Sequence, residues 1–374
     1  MPSFRHVVVI GAGLMGTSLG LALRRCDVDV QLLDLDPTNL RLAVSLGAGR
    51  PVASPQDRQP VDVQGFPSGT QGAGDRPHVD LVVVSVPPDT VTEVSAEALR
   101  RYPEAVVTDL ASVKAPPAKQ LADRLPSDAS RYVGGHPMAG SERSGPLAAS
   151  ADLFDGRAWA VTPHPASGRD AVAVVEELAQ VCGAYPIRLA PDQHDDAVAL
   201  VSHLPHVASS VVAGLLTEAP EQHLELAGQG LRDVTRVAAG DPALWTQILS
   251  ANARPVSKLL QQAATRLIEL AGRLEKAEPV DELLGAGVQG VGRLPGKHGV
   301  RAEDFVAVTV LLPDRPGELA RLFGDVGAAG VNIEDVRIDH SPGTSAGLVE
   351  LLVIPHAEHS LSLALRERGW ALPG

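Results

Sequence analysis

The sequence predicts an α/β fold in three parts: an N-terminal doubly wound parallel sheet, an all-helical middle, and a small α+β module at the C-terminus. Three observations predict it. Strand-like and helix-like segments alternate from His6 to Leu189. The strand signal then stops for about a hundred residues, and apolar residues recur at helical spacing. A β-α-β-β-α order resumes after Phe305.

The first element sets the class. Val7 to Ile10 is apolar and β-branched, the pattern of a strand buried on both faces. Gly11, Gly13 and Gly16 follow as G-x-G-x-x-G, a turn in which Leu14 and Met15 are also expected at the cofactor, and Thr17 to Arg24 has the apolar spacing of a helix. The first glycine allows the tight turn, the second lets the backbone approach a pyrophosphate, and the third lets helix pack on strand. Free N–H groups and the positive dipole end of the helix then face the anion. Val30 to Leu33 is a second strand ending at Asp34, about 20 residues past the glycines, where a carboxylate holds ribose hydroxyls and repels a 2′-phosphate. A Rossmann-type domain that prefers NAD to NADP follows. Asp36 competes for the ribose, but Pro37 places it in a turn.

Next come Arg50 to Pro77, rich in Pro, Gly, Asp and Gln and read as a long exposed loop, and Val79 to Val86, a strand. Ala105 to Asp109, Tyr132 to Gly135, Ala158 to Thr162 and Tyr185 to Leu189 are further strands. Their ends would gather Ser85, Pro87, Asp109 and His136 along one sheet edge, where open parallel sheets bind ligands. Asp195 to Ser202, Val207 to Leu216, Gln222 to Ala238 and Pro242 to Leu274 read as helices, the last divided or kinked at Pro255. Such long apolar helices need a partner surface, which predicts a homodimer. Gly285 to Gly299 reads as a linker. The predicted domains are 1–190, 191–284 and 304–374, with 285–303 joining the last two. The final module should be ferredoxin-like, its last strand Gly369 to Leu372.

Composition excludes several functions. A net charge of −13 over 374 residues argues against nucleic acid and anionic membranes. No signal peptide is visible, and no apolar run reaches about 18 residues, so nothing is expected to span a membrane and the cytoplasm is expected. Cys26 and Cys182 are too few for a disulfide framework. His194, His203 and His206 lack the H-E-x-x-H pattern, so no metal is expected; His194 and His203 read as structural or at a pocket edge.

The chemistry points to Gly134 to Gly145, GGHPMAGSERSG. Small residues around His136 leave room for a ligand, and a neutral imidazole there can accept the proton of a hydroxyl whose carbon loses hydride.

GAGLMGTSL, DLASVKA, GGHPMAGSERSG, DQHDDAVALVSHLPH and RDVTRVAAGDPALW together resemble the prephenate dehydrogenase family, which includes arogenate dehydrogenases, over roughly residues 5 to 275. DRPGELARLFGDVGAAGVNIEDVRI resembles the ACT domain, a regulatory amino-acid-binding module. The resemblance implies NAD-dependent oxidative decarboxylation of prephenate to 4-hydroxyphenylpyruvate. It assigns the hydroxyl-binding histidine to His136, the orienting serine to Ser112, a substrate-contacting histidine to His206 and a carboxylate-gripping arginine to Arg236. Arg232, one turn earlier, stands where the family usually has lysine, and Glu142 stands in Ser-Glu-Arg where relatives often read Thr-Glu-Lys. It also implies an amino-acid site at Asp314, Pro316, Gly317 and Asn332, with tyrosine, the pathway's end product, as feedback ligand. The competing readings are arogenate as substrate, a β-hydroxyacid dehydrogenase, which would need a helix lysine in place of GGHP, and a silent sensor of NAD and an amino acid.

Overall fold

The computed structural model describes residues 2–52, 78–140, 143–294, 305–339 and 346–373. They form two compact units, Met1–Val211 with Val237–Gln261, and Val212–Arg236 with Gln262–Gly374. The predicted helical domain is therefore divided between the two.

In the first unit, β1 (His6–Ile10), α1 (Leu14–Arg25), β2 (Asp29–Leu33), α2 (Pro37–Ser45), β3 (Arg50–Pro51), β4 (Leu81–Val84), α3 (Val91–Arg101), β5 (Val106–Asp109) and α4 (Ala115–Arg124) follow in order. The strands make one parallel sheet in the order β3-β2-β1-β4-β5. Alternation of side chains explains why the runs are apolar throughout. Val7, Val9, Leu81 and Val83 enter one core with Leu19 and Leu23 of α1, while Val8, Ile10, Val82 and Val84 enter a second core with Leu99 and Leu121. Each such side chain contributes about 1.5–3 kcal/mol on burial, so the register is firmly set. The order reverses between β1 and β4, which places the ligand crevice at their C-terminal ends. Arg50 and Pro51, read as the start of a loop, are instead an edge strand beside Gln31 and Leu32. Residues 53–77 of that expected loop lie outside the described residues.

The predicted single sheet is in fact two. A parallel bridge from Val107 to Tyr132 begins to extend it. The chain then enters a separate sheet of β6 (Gly134–Pro137), β7 (Ala158–Thr162) and β8 (Tyr185–Arg188), with α5 (Arg169–Val181) between the last two. β6 runs antiparallel to β7, with His136 opposite Ala160. His136 is therefore held within a strand rather than at its tip.

α6 (Pro191–Val198), a widened π turn at Ala199–His203 and α7 (Leu204–Leu215) form one continuous helix. Pro205, which lacks an N–H, is accommodated just after the wide turn. Pro191–Glu218 is long and apolar enough to cross a membrane, contrary to the expectation from contiguous runs, because its apolar residues are interspersed with Ser, His and Gly. It nevertheless buries His194, Asp195, His203 and His206. α10 (Pro242–Ala251) and α11 (Ala253–Glu275) are separated at Asn252, not at Pro255. Pro255 sits in the first turn of α11, where a missing N–H leaves nothing unpaired.

In the second unit, the predicted helix at 222–238 is two short ones, α8 (Glu221–Leu224) and α9 (Gln229–Thr235), separated around Gly228. α12 (Asp281–Val291) extends into the stretch expected to be linker, with Asp281 and Glu282 in its first turn complementing the helix dipole. β9 (Val306–Pro313), α13 (Glu318–Ala328), β10 (Asp335–Asp339), β11 (Ala346–Val353) and α14 (Pro355–Glu367) complete the unit. Their antiparallel sheet, β10-β11-β9, shares a core of Val308, Val310, Leu322, Val349, Leu361 and Trp370. The expected fourth strand is reduced to one bridge, Ala371 to Leu311.

Candidate active site

The glycine turn has the shape a dinucleotide needs. Gly11 has φ +100, and a Cβ there would lie 2.1 Å from the Ser85 carbonyl oxygen. A Cβ on Gly16 would lie 1.9 Å from the Gly11 carbonyl oxygen. Around the Cβ position of Gly13, at the N-cap of α1, nothing lies within 4 Å. Two glycines thus close the turn, and the third leaves open space where phosphates could approach the helix N-terminus. Asp34 closes β2 and accepts from the Ala12 N–H at 2.5 Å. Asp36 is occupied as the N-cap of α2, accepting from the Thr38 N–H at 2.7 Å. Ser85 donates its N–H to the Ile10 carbonyl at 2.7 Å, and Pro87 lies in the following turn.

Asp109, expected beside the cofactor, is instead wholly buried and its oxygens are engaged. One accepts from the buried Lys114 ammonium and the Ala111 N–H, the other from the Tyr132 hydroxyl at 2.6 Å. Lys114 also donates to the Gly135 carbonyl at 2.8 Å, which ties it to the strand carrying His136. Burial pushes the Lys114 ammonium down and the Tyr132 hydroxyl well up.

A cavity of about 590 Å³ opens in this unit, lined by Leu14, Met15, Ser112, His136, Arg157, His203 and Trp245 among others. His136, half-buried on its wall, is held well below the usual histidine range. Burial is the main cause, followed by the nearby His194, Lys114 and His203. It is therefore neutral at physiological pH. Its Nδ1 lies 2.8 Å from His194 Nε2, and His194 Nδ1 lies 2.8 Å from Asp195 Oδ1. Asp195 accepts from the Lys114 N–H at 2.8 Å and the Ala115 N–H at 2.9 Å, at the start of α4.

His203 is fixed from the other side. Asn252 Nδ2 donates to the Asp195 carbonyl at 2.8 Å and lies 3.2 Å from His203 Nδ1. The carbonyl can only accept, so the amide nitrogen is the donor and His203 Nδ1 the acceptor. The proton of neutral His203 then sits on Nε2. Burial lowers the pKa of this ring to about 4. His206 does not line the cavity; it stacks on Trp245 with ring centroids 3.5 Å apart, and burial lowers its pKa too. Of the two histidines, the structure brings His203 to the wall, where the resemblance favours His206.

Arg157 is the only cation lining the cavity among the described residues, and its guanidinium has no hydrogen-bond partner among them. No motif marks it. Arg232 and Arg236 belong to the second unit, on α9 and the turn after it. Glu142 lies outside the described residues. In the C-terminal module, Gly317 is the N-cap of α13 with φ +90, next to Asp314 and Pro316, and Asn332 donates to Glu334 at 2.8 Å.

Comparison with known proteins decides the family. Residues 70–188 match the model of the prephenate dehydrogenase nucleotide-binding domain, and residues 190–285 that of the prephenate dehydrogenase dimerization domain. A probable prephenate dehydrogenase, NovF of Streptomyces niveus, is 39% identical over 98% of this chain and 99% of its own length. The chain belongs to the prephenate dehydrogenase family. A Bacillus subtilis member is 26% identical over 89% of this chain and 87% of its own. A crystal structure of prephenate dehydrogenase from A. aeolicus, in complex with hydroxyphenyl propionate and NAD+, is 28% identical. It covers 77% of this chain and 98% of that one, with a TM-score of 0.64.

Proposed function

We infer that this chain is an NAD-dependent prephenate dehydrogenase that converts prephenate to 4-hydroxyphenylpyruvate. The observation that carries this reading is His136, a neutral imidazole on the wall of a cavity that also contains Ser112 and the start of α1. Gly11, Gly13, Gly16 and the N-terminus of α1 fit a dinucleotide's diphosphate, and Asp34 its ribose; the bound NAD+ supplies the hydride acceptor.

The protein's part is to move one proton. As the substrate carbon loses hydride, its hydroxyl becomes a carbonyl and His136 Nε2 takes the proton. The carbon–carbon bond to the ring carboxylate then breaks, CO2 leaves, and the electron pair enters the ring. The ring becomes aromatic and its oxygen a phenolate, which takes the proton back from His136. No proton is gained or lost overall, so the base borrows rather than exports it. Ser112 orients the hydroxyl, and the Nε2–H of His203 offers the cavity a donor. Arg157 gives the wall a positive charge for a dianionic substrate, Arg236 keeps the carboxylate-binding role that resemblance assigns, and Arg232 is read as a further substrate-binding cation.

A homodimer accords with the dimerization-domain match and with the exposed Leu200, Val201, Val211 and Leu215 along the helix. The C-terminal module is read as an ACT domain. Its helix N-terminus at Gly317 is suited to an amino-acid carboxylate, with tyrosine as the ligand. Titration calorimetry of the full chain with tyrosine tests this, and no heat at millimolar tyrosine would refute it.

The substrate is tested by comparing kcat/KM for prephenate and arogenate with NAD+. A clear preference for prephenate supports the reading, and a preference for arogenate overturns it.

A further inference from the structure

We propose that His194 and Asp195, which touch neither substrate nor cofactor, are positioning residues that fix His136 as its Nδ1–H tautomer and so leave Nε2 as the base. One line of hydrogen bonds dictates this. Asp195 is a carboxylate that can only accept, and its two oxygens already take the N–H groups of Lys114 and Ala115 at the N-terminus of α4. The dipole end of that ten-residue helix favours the anion. A neutral His194 must therefore carry its proton on Nδ1, 2.8 Å from Asp195 Oδ1. Its Nε2 is then a bare acceptor, 2.8 Å from His136 Nδ1. That contact is a hydrogen bond only if His136 carries its proton on Nδ1. The opposite arrangement sets a lone pair of His194 against the carboxylate.

The geometry also fits the transient charge. When His136 takes the substrate's proton it becomes a cation, and its Nδ1–H already points along a chain that ends in a carboxylate. His194 is buried, at 1% exposure, and Asp195 is nearly so, so water does not screen the chain. Burial first, and then the nearby His194, Lys114 and His203, disfavour the cation of His136. Because the reaction returns its proton to the product, the pair need not carry a proton to solvent. The inference rests on the proposed reaction only for the use made of Nε2; the tautomer is a property of the protein alone.

The test has two parts. In enzyme labelled with 15N-histidine, the imidazole shifts of His136, identified by their loss in His136→Asn, should report a protonated Nδ1 and a bare Nε2. In Asp195→Asn, an amide nitrogen facing His194 would reverse the chain, and His136 should move to the Nε2–H form. A neutral amide caps α4 less well than the carboxylate does, which puts the folding of that variant at risk, so His194→Phe is the second variant. It should keep the melting temperature within a few degrees and the KM for prephenate within threefold, while kcat falls tenfold or more. A smaller fall in kcat, or an Nε2–H signal for His136 in the wild type, overturns the proposal. Wild-type enzyme that makes no NADH from prephenate while its His136 is Nδ1-protonated would refute the reaction and leave the tautomer standing.

Discussion

His203 and Asn252 are joined by a hydrogen bond between Asn252 Nδ2 and His203 Nδ1, 3.2 Å long and buried. It makes His203 a neutral donor and ties α10's end to the helix that carries the histidines. His203 refuses a proton until about pH 4, whereas an unfolded histidine takes one near 6.5. Above 6.5 both states are neutral, and His203 has no effect on the pH dependence. Between 6.5 and about 4 the unfolded chain binds a proton that the folded chain does not, so stability falls as pH falls. Urea unfolding at about pH 7 and about pH 4.5 should show a smaller loss in His203→Gln than in the wild type. Equal losses would contradict this.

The pH profile of kcat/KM follows from the same logic at His136. Its conjugate acid lies well below the usual histidine range, chiefly through burial. The base should therefore remain competent as pH falls past 6.5, with the acid limb below that value. A limb at or above 6.5 would show that another group governs the proton.

Gly13 and Gly16 separate cofactor binding from folding. A methyl on Gly13 meets nothing within 4 Å, so Gly13→Ala should fold normally, yet it stands where phosphates would approach. Its KM for NAD+ should rise tenfold or more. Gly16→Ala would drive a methyl into the Gly11 carbonyl and should lower the melting temperature or abolish folding. Thermal melts and NAD+ titrations distinguish the two, and an unchanged KM in Gly13→Ala would remove that glycine from the cofactor site.

Much of this site is legible in the sequence because it rests on local rules. The glycine spacing, the acid ending β2 and the apolar runs each follow from one stretch of chain. Asp109 is misplaced from sequence because its partners, Lys114 and Tyr132, come from separate segments, and only the fold shows that they bury it. His194 reads as no more than structural or at a pocket edge for the same reason, since its role depends on His136, 58 positions away. Arg157 follows no periodicity and is marked only by the cavity it lines. The break of the sheet after Tyr132 is hidden because β6 is a good strand in either arrangement.

Arg157 supplies the cavity with its cation, and a charge-assisted bond to a carboxylate is worth about 1.5–3 kcal/mol. Arg157→Ala should therefore raise the KM for prephenate roughly 10- to 100-fold, with a smaller change in kcat. Arg236→Ala should likewise act mainly on KM. Initial rates across substrate concentration check both, and an unchanged KM would exclude the residue from substrate binding.

The most direct test of the account is the absorbance of NADH when prephenate and NAD+ are added to the wild type and to His136→Asn. The wild type should form NADH and 4-hydroxyphenylpyruvate in equal amounts, and the variant, folded and binding prephenate with a similar KM, should turn over about 10²- to 10⁴-fold more slowly. Equal rates in the two proteins at saturating prephenate would contradict it.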